Sequence, residues 1–556
     1  MPNKETADRL VQLYLRTFES VFSIMHVPTF QQEYVEHWNN PQATKDSFLL
    51  QLLLIMAIGT CFCPTASAAG ATKTRSKLRD QSLQWIHAAH AKLTSPMVKQ
   101  DLSLCGIQNH CLLLLALMTD TQAVGGDLAW IAIGSLMQRA MAIGLHVKPS
   151  QLPVSALEAE TRRRIWGTIL ELSVQSSLDS GTYPIVPQGA LDNFEAPSNL
   201  DDSQLTASTQ AQPVPQPTTT YTRSSIQCAL LKSLPIRFKI AEALNQPLYK
   251  LTYDDVRSMG AELTAHLRET SQLIRSFHFN RPSPFQIHLQ DLLARRFLFT
   301  LHVQFVHRAP SNTNYHFSRT ACLESALLLL GPPYSRNADD ISYSNDGGDT
   351  SSSLGDYQNL RLHGDGLFKN ILLAAVMAVC AELLIQLRED SSPAASSLLR
   401  MPLLQAIRDT ASIMCRRIQR GETSIKAFIF VSCVLAKIDA SKNCNSPQQK
   451  NHIDQAVADT AKHVLGVCAK FLTSRIGGVA SPSSSVPDEN SASKEQIIDL
   501  EQWLPLGDRD ESGELGFQNN PSTNTQSDHT NDMNTWLNDN TSIWNFPAWG
   551  NEPMFI

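Results

Sequence analysis

The sequence predicts an all-α protein built from many helices. Apolar residues recur at spacings of three and four over Ala129–Ile143 and stop at Gly144, which is typical of a helix with one buried face. A second such pattern covers Glu160–Asp179 and ends at Gly181. The sequence shows no series of short alternating strands separated by turn residues, so a sheet protein is not expected.

Further apolar stretches, Leu289–His307 and Leu367–Leu387, are also predicted to be helical. The longest nearly uninterrupted apolar runs are Phe48–Cys63 and Ile371–Ala381. Both are shorter than the roughly 20 residues that a membrane-spanning helix needs. We therefore expect buried core helices and no membrane partner, and the polar segment Met1–Arg9 lacks the apolar region of a signal peptide.

Length and composition limit the class of function. The chain has 556 residues, which at about 100–200 residues per domain predicts two or three packed units. Its net charge of −6 argues against a chain that mainly binds nucleic-acid phosphates. Eleven cysteines are scattered along the sequence, several in apolar runs, which indicates thiols in a reducing compartment rather than a disulfide framework.

Changes in composition divide the chain into two predicted helical regions, three segments expected to be flexible or disordered, and an acidic tail. The first flexible segment is rich in Pro, Thr and Gln, the second in Ser, Asp, Asn and Gly, and the third in Ser. In chain order these are the first helical region (residues 1–202), the flexible loop 203–222, the second helical region (residues 223–476) with an insertion at about 335–356, the linker 477–498 and the tail 499–556.

No pattern of residues predicts an enzyme, a cofactor or a metal site in this chain. A binuclear zinc cluster needs six thiolates in closely spaced pairs, but the sequence contains no CxxC, and Cys61 and Cys63 are expected to be buried. His87 and His90 lie one helical turn apart without a third ligand at recognisable spacing, so ordinary histidines are the preferred interpretation. Phosphate-binding, dinucleotide-binding and serine-nucleophile motifs are missing from the sequence.

The most basic run in the chain is Arg162–Arg164. Glu158 and Glu160 precede it, and Ile165 and Trp166 follow it directly. Residues four apart on a helix, such as Glu160 and Arg164, can form an ion pair. A structural role is therefore preferred to DNA binding, which needs a broad exposed basic patch.

Four stretches carry motifs in a definite order. The first contains His26-x-Pro28-Thr29-Phe30, the second ends in Gly144-Leu145-His146, the third contains Arg162-Arg163-Arg164-Ile165-Trp166 followed by Ala196–Asp202, and the weaker fourth closes in His307-Arg308-x-Pro310. The full stretches are Leu10–Tyr34, Ala129–Ser150, Glu158–Ser173 and Phe297–Pro310. Together they resemble the regulatory "middle homology" domain of fungal Zn2Cys6 zinc-cluster transcription factors. The resemblance implies an all-helical regulatory region, a nuclear location and control of transcription.

The sequence departs from this family in several places. Gly167 stands where the third motif usually has a second aromatic residue, Ser173-Val174 replaces an Asp-Arg pair, and a Gly-Arg-Pro element is kept only partly in Gly181–Pro184. The larger departure is the zinc cluster, which this sequence does not contain. Only nine residues precede the first motif stretch, which begins at Leu10. Two interpretations stay open: the protein lacks a DNA-reading module, or a module encoded upstream, with its zinc, is missing from this sequence.

The tail gives a second, independent indication of function. Residues 499–556 contain ten acidic residues against one arginine, and four of the eight tryptophans. Acidic residues keep aromatic side chains solvated until they dock into an apolar groove of a partner, as in an acidic activation domain. The alternative is that these side chains pack back onto the helical core. The candidate contact residues are Trp536, Leu537, Trp544, Phe546, Trp549 and Phe555.

The sequence thus predicts a nuclear transcriptional regulator that acts through protein co-regulators or the transcription machinery. The resemblance adds a metabolic or secondary-metabolite gene set, homo- or heterodimerisation, and a small-molecule effector bound between helices. DNA would be contacted only indirectly or through an N-terminal module. One alternative is a co-regulator or repressor, deficient in DNA binding, that pairs with a full-length relative. Another is a helical enzyme with an unrecognised site.

Overall fold

The computed structural model describes residues 1–63, 69–94, 102–119, 126–187, 189–191, 194–206, 209, 212–246, 251–278, 280–331, 350–389, 393–442 and 449–476. Within these ranges every extended regular element is a helix, which confirms the all-α class. The helices are α1 (Lys4–Arg16), α2 (Glu19–Phe22), α3 (Val27–Asn39), α4 (Asp46–Cys61), α5 (Ala69–Thr94), α6 (Leu104–Thr119), α7 (Gly126–Ala142), α8 (Ala156–Ser180), α9 (Ser225–Lys232), α10 (Leu234–Asn245), α11 (Tyr253–Ser276), α12 (Pro284–Val306), α13 (His316–Leu330), α14 (Thr350–His363), α15 (Leu367–Glu389), α16 (Pro393–Gln419), α17 (Lys426–Lys442) and α18 (Gln449–Ile476).

The chain divides into two compact units. Of the described residues, those within Met1–His302 and Pro332–Ile371 form the first unit, and those within Val303–Gly331 and Leu372–Ile556 form the second. α9 and α10, which follow the loop 203–222, both pack on α8 in the first unit. A change in composition marks a loop, whether or not the chain returns to the same core.

The first unit is built around α4 and α8. α4 packs against α1, α5 and α6, and its side chains are buried over almost its whole length, as its continuous apolar sequence predicts. Phe18, between α1 and α2, lies 5.3 Å from Phe62 and 5.7 Å from Phe368, measured between ring centroids. This aromatic contact ties the N-terminal helices to the start of α15.

The ends of α8 follow from local sequence. The side chain of Ser155 accepts a hydrogen bond from the backbone N–H of Glu158 and caps the first turn. Gly181 ends the helix with φ 65°, a left-handed conformation that glycine adopts without steric cost. The predicted stop at Gly181 is thus confirmed.

The second unit consists of packed helices. α17 packs along α18, α16 contacts both, and α13 contacts α16. Arg319 on α13 pairs with Glu382 at 2.8 Å and Glu389 at 2.9 Å, which fixes α13 against the C-terminal half of α15.

Two segments predicted to be flexible or disordered have defined structure where their residues are described. In the loop 203–222, Asn199 Nδ2 donates to the carbonyl oxygens of Pro217 and Thr220 at 2.9 and 3.0 Å. In the insertion 335–356, the residues from Thr350 onward belong to α14, and Asp356 accepts a hydrogen bond from Arg16 at 2.8 Å. These contacts fix parts of the two segments, and the flexibility expected for the segments as a whole stays a prediction.

α15 is the one helix, among the described residues, that is long and apolar enough to cross a membrane. The expectation that this helix is too short to span a membrane used the length of the apolar run Ile371–Ala381. The helix itself has 23 residues and continues past Glu382. Of the 18-residue apolar window of α15, 72% is buried inside the protein, as is typical of a core helix.

Candidate functional site

α8 is buried on every side, which brings polar residues into the core. Ile165, Trp166, Ile169 and Leu172 are buried, as predicted. Polar residues also repeat at spacings of three and four along another face, and they too are buried or nearly so. We call this set the polar stripe of α8: Glu160, Arg164, Thr168, Glu171, Gln175 and Asp179.

Arg164 and Asp202 bring three sequence motifs to one point. Arg164 Nη1 donates to Asp202 Oδ1 at 2.5 Å, and its Nη2 donates to the carbonyl oxygen of Leu200 at 3.3 Å. Asp202 Oδ2 accepts the backbone N–H of Val27 at 3.1 Å, and the Asp202 carbonyl accepts from His26 Nε2 at 3.0 Å. The His-x-Pro-Thr-Phe element, the arginine run and the segment ending in Asp202 therefore form one junction.

Glu160 holds the other end of the arginine run. It accepts hydrogen bonds from Arg163 Nη1 and Arg164 Nε, both at 3.3 Å, and from the backbone N–H of Ser198 at 3.0 Å. Burial raises the pKa of Glu160, and the two arginines oppose that shift. Arg163 and Arg164 are 7% and 3% exposed, so the predicted structural role of the run is confirmed and an exposed DNA-binding patch is excluded for both side chains.

Glu171 and Arg237 form a buried two-point ion pair between α8 and α10. Arg237 Nη1 and Nη2 donate to Glu171 Oε1 and Oε2 at 2.6 and 2.7 Å. Arg237 also donates to the Leu230 carbonyl at 2.9 Å and to Ser233 Oγ at 3.1 Å, and its guanidinium carbon lies 5.6 Å from the centroid of the Phe297 ring. Because both charges are fully buried, these contacts must replace the water that each group loses.

The C-terminal end of the stripe binds α12. Gln175 Nε2 donates to the Leu293 carbonyl at 2.7 Å, and Arg296 Nη1 donates to Gln175 Oε1 at 3.0 Å. Arg296 Nη2 donates to Asp179 Oδ1 at 2.5 Å. The stripe thus fixes the position of α8 against α10, α12 and the Asp202 segment, each through named polar contacts.

Gly167, one of the departures from the family pattern, has a packing reason. A Cβ at this position would lie 2.7 Å from Leu231 Cδ1 on α9 and 3.4 Å from Phe194. The missing side chain leaves room for Leu231 and Phe194, so a second aromatic residue here would require these two side chains to move.

Glu19 is a buried carboxyl group beside the Asp202 junction. It accepts hydrogen bonds from the Tyr14 hydroxyl at 2.7 Å and from the Met25 backbone N–H at 2.9 Å. Burial raises the pKa of Glu19 to about 7; the positive charge of Arg223 opposes the shift and Asp202 adds to it.

This pKa makes stability depend on pH. A carboxyl group whose pKa is higher in the folded state stabilises the fold when protonated, and that stabilisation is lost as pH rises from the unfolded pKa of 4.5 to about 7. Between pH 5 and 8 we expect the protein to lose up to about 3 kcal/mol of unfolding free energy relative to Glu19→Gln. Urea unfolding of both proteins across this range measures the difference, and parallel pH profiles would contradict it.

The other sequence candidates are placed as follows. His87 and His90 are exposed side chains on α5. Among the residues that the structure describes, no group of three or more His, Cys, Asp or Glu side chains could hold a metal ion. The described cysteines therefore do not fit a binuclear zinc cluster. Outside the described residues lie the tail candidates Trp536, Leu537, Trp544, Phe546, Trp549 and Phe555.

A cleft lies between α10 and α11. It has a volume of about 210 Å³ and is lined by Lys239, Glu242, Gln246, Asp255 and Met259, among others. Binding pockets for drug-sized ligands are about 300–1,000 Å³ and mostly apolar. This cleft is smaller and is lined by both charged and apolar residues, and the small-molecule effector stays a prediction.

Comparison with known proteins identifies a domain in the first unit. Residues 11–237 match the family described as "Fungal specific transcription factor domain". This stretch of the chain therefore carries a domain of this kind. The matched residues include three of the four motif stretches and end at Arg237, the partner of Glu171. They lie entirely in the first unit, so the family domain contains the Asp202 junction and most of the contacts of the polar stripe.

Three curated relatives extend the similarity beyond that domain. Transcription factor lepE of Aspergillus flavus is 33% identical over 87% of this chain and 57% of its own length. Transcription factor opdR of Penicillium oxalicum is 33% identical over 88% of this chain and 61% of its own. The aspyridones cluster regulator apdR of Emericella nidulans is 30% identical over 84% of this chain and 61% of its own. The chain spans about three fifths of the length of these relatives.

Proposed function

We propose that this protein is a nuclear transcriptional regulator of a fungal secondary-metabolite gene cluster and that it catalyses no reaction. The observation that carries the proposal is the family match over residues 11–237, supported by relatives described as transcription factors and, in one case, as a cluster regulator. The structure is consistent with a scaffold. The charged residues of the polar stripe pair with one another and with residues of neighbouring helices. These pairs hold the helices in position, and the paired groups are not available as a catalytic acid or base.

The second half of the proposal concerns the tail, residues 499–556. Its acidic residues and four tryptophans suit a segment that docks apolar side chains into a co-regulator or the transcription machinery. The helical units then control when this segment acts, either directly or through dimerisation. The cofactor prediction is unchanged: zinc is expected only in a module outside this chain.

The test is a reporter assay with the full chain fused to a foreign DNA-binding domain. We expect reporter output from the fusion and from residues 498–556 alone. Replacing Trp544, Phe546 and Trp549 together by Ala should lower both outputs about tenfold, because aromatic anchors contribute a large share of binding energy. A matched control replaces Asn519, Asn520 and Thr523 by Ala in the same segment. No output from an expressed nuclear fusion, or output unchanged by the aromatic substitutions, would refute the role of the tail.

A second candidate function is a co-regulator that reaches DNA through a partner. The observation that favours it is that the described cysteines do not fit a zinc cluster. A gel shift with the purified chain and fragments of cluster promoters tests it, with non-specific DNA as competitor. Tight, sequence-specific binding by this chain alone would exclude this candidate, whereas binding that appears only with a full-length relative would support it.

A further inference from the structure

A small cavity in the first unit is lined by two thiols and by two groups that can carry positive charge. It has a volume of about 60 Å³, and its lining includes Cys61, Cys63, Arg79 and His363. Ser82 and Thr119 add hydroxyl groups. A cavity needs about 10–15 Å³ to hold one water, so this one has room for a few waters or one small polar molecule.

The other deeply buried thiols lie in a different environment. Cys111, Cys322 and Cys380 are completely buried, and burial raises their pKa far above the ordinary value. Burial also raises the pKa of Cys433 to about 12. Since the thiolate is the reactive form of cysteine, these four are expected to be inert, and they serve as internal controls.

Cys63 is the better placed of the two thiols in the cavity. Cys61 is the last residue of α4, whereas Cys63 lies beyond the helix end and is 8% exposed against 5% for Cys61. The carbonyl end of a helix disfavours negative charge, and α4 has no basic residue in its last turn. Arg79 lines the same cavity from α5, and a neighbouring cation favours the thiolate form of a cysteine.

We propose that Cys63 is a site of oxidation by hydrogen peroxide, which enters this cavity and converts the thiol to a sulfenic acid. The sulfur attacks one peroxide oxygen, the O–O bond breaks and an S–O bond forms. The departing hydroxide takes up the proton that the thiol released, so thiol and peroxide give sulfenic acid and water. The sulfur is oxidised by two electrons and the peroxide is reduced by two.

The test treats the purified full chain with increasing hydrogen peroxide, traps sulfenic acid with dimedone and maps it by peptide mass spectrometry. We expect trapping at Cys63 at peroxide concentrations that leave Cys111 and Cys380 unmodified. In Cys61→Ser the trapping at Cys63 should persist. Trapping at Cys61 in place of Cys63, or trapping at Cys63 no faster than at Cys111, would overturn the proposal.

Arg79→Gln distinguishes two explanations for oxidation of Cys63: the neighbouring cation in the cavity, or exposure of the thiol to solvent alone. We expect this variant to slow trapping at Cys63 about three- to tenfold, because a neighbouring cation favours the thiolate. Cys228, which lies on α9 and is partly exposed, should react at the same rate in both proteins. Continued protection of Cys111 shows that the variant is folded, and an unchanged rate at Cys63 would then overturn the role of the cavity.

Discussion

Gly59→Ala is expected to destabilise the first unit by about 3 kcal/mol, the upper end of the usual cost of overpacking a core. An added Cβ would lie 2.3 Å from the carbonyl oxygen of Leu10 and 2.9 Å from its carbonyl carbon. Both are backbone atoms of α1, so no change of rotamer can relieve the clash. α1 would have to move away from α4. This movement would expose apolar side chains such as Leu10 and Ile55, which are almost completely buried.

Gly355→Ala is the matched control in the same unit. Gly355 lies in α14, and no atom comes within 4 Å of a Cβ built there. Alanine should leave stability unchanged or raise it by about 0.5–1 kcal/mol, because glycine is the poorer helix former. Hydrogen exchange of peptides from α1 and α4 measures the local effect in both variants. Equal protection in Gly59→Ala and the parent protein would mean that the two helices do not approach so closely.

The helices themselves could be predicted because they depend on local sequence. Apolar periodicity marks α8, α12 and α15, and Gly181 marks the end of α8. The close approach at Gly59 could not be predicted in the same way. An isolated glycine in an apolar run shows that a side chain is missing, but it does not show that Leu10, on a helix much earlier in the chain, fills the space.

The polar stripe of α8 shows where pattern analysis fails. Polar residues at helical spacing usually mark the solvent-exposed face of a helix. The sequence therefore predicts that these residues are exposed, whereas the structure shows that they are buried. The pair Glu160–Arg164 was predictable because both residues lie on one helix turn. Asp202 and Arg296, which complete the site, lie 38 and 117 residues from their partners Arg164 and Asp179. No spacing rule connects residues so far apart.

Arg237→Met is expected to destabilise the first unit by about 3–5 kcal/mol, because it leaves Glu171 charged and buried without its cation. Only the Gln175 side chain, which donates to Glu171 Oε1 at 2.7 Å, would remain to compensate that charge. Lys4→Met is the control, since Lys4 pairs with Asp8 at the surface of the same unit, where an ion pair contributes about 0–1 kcal/mol. Urea unfolding, together with hydrogen exchange of α8 and α10 peptides, measures both variants.

The double variant Glu171→Leu/Arg237→Met distinguishes the net contribution of the pair from the cost of breaking it. Replacing a buried ion pair by apolar residues of similar size is often nearly neutral, so the double variant should be more stable than Arg237→Met by about 2 kcal/mol or more. Losses that simply add would mean that the two side chains are not coupled. If the double variant is stable but its reporter output falls, the pair is needed to select the correct arrangement of α8 and α10. That outcome would explain why a regulatory domain keeps charges where apolar residues would stabilise it as well.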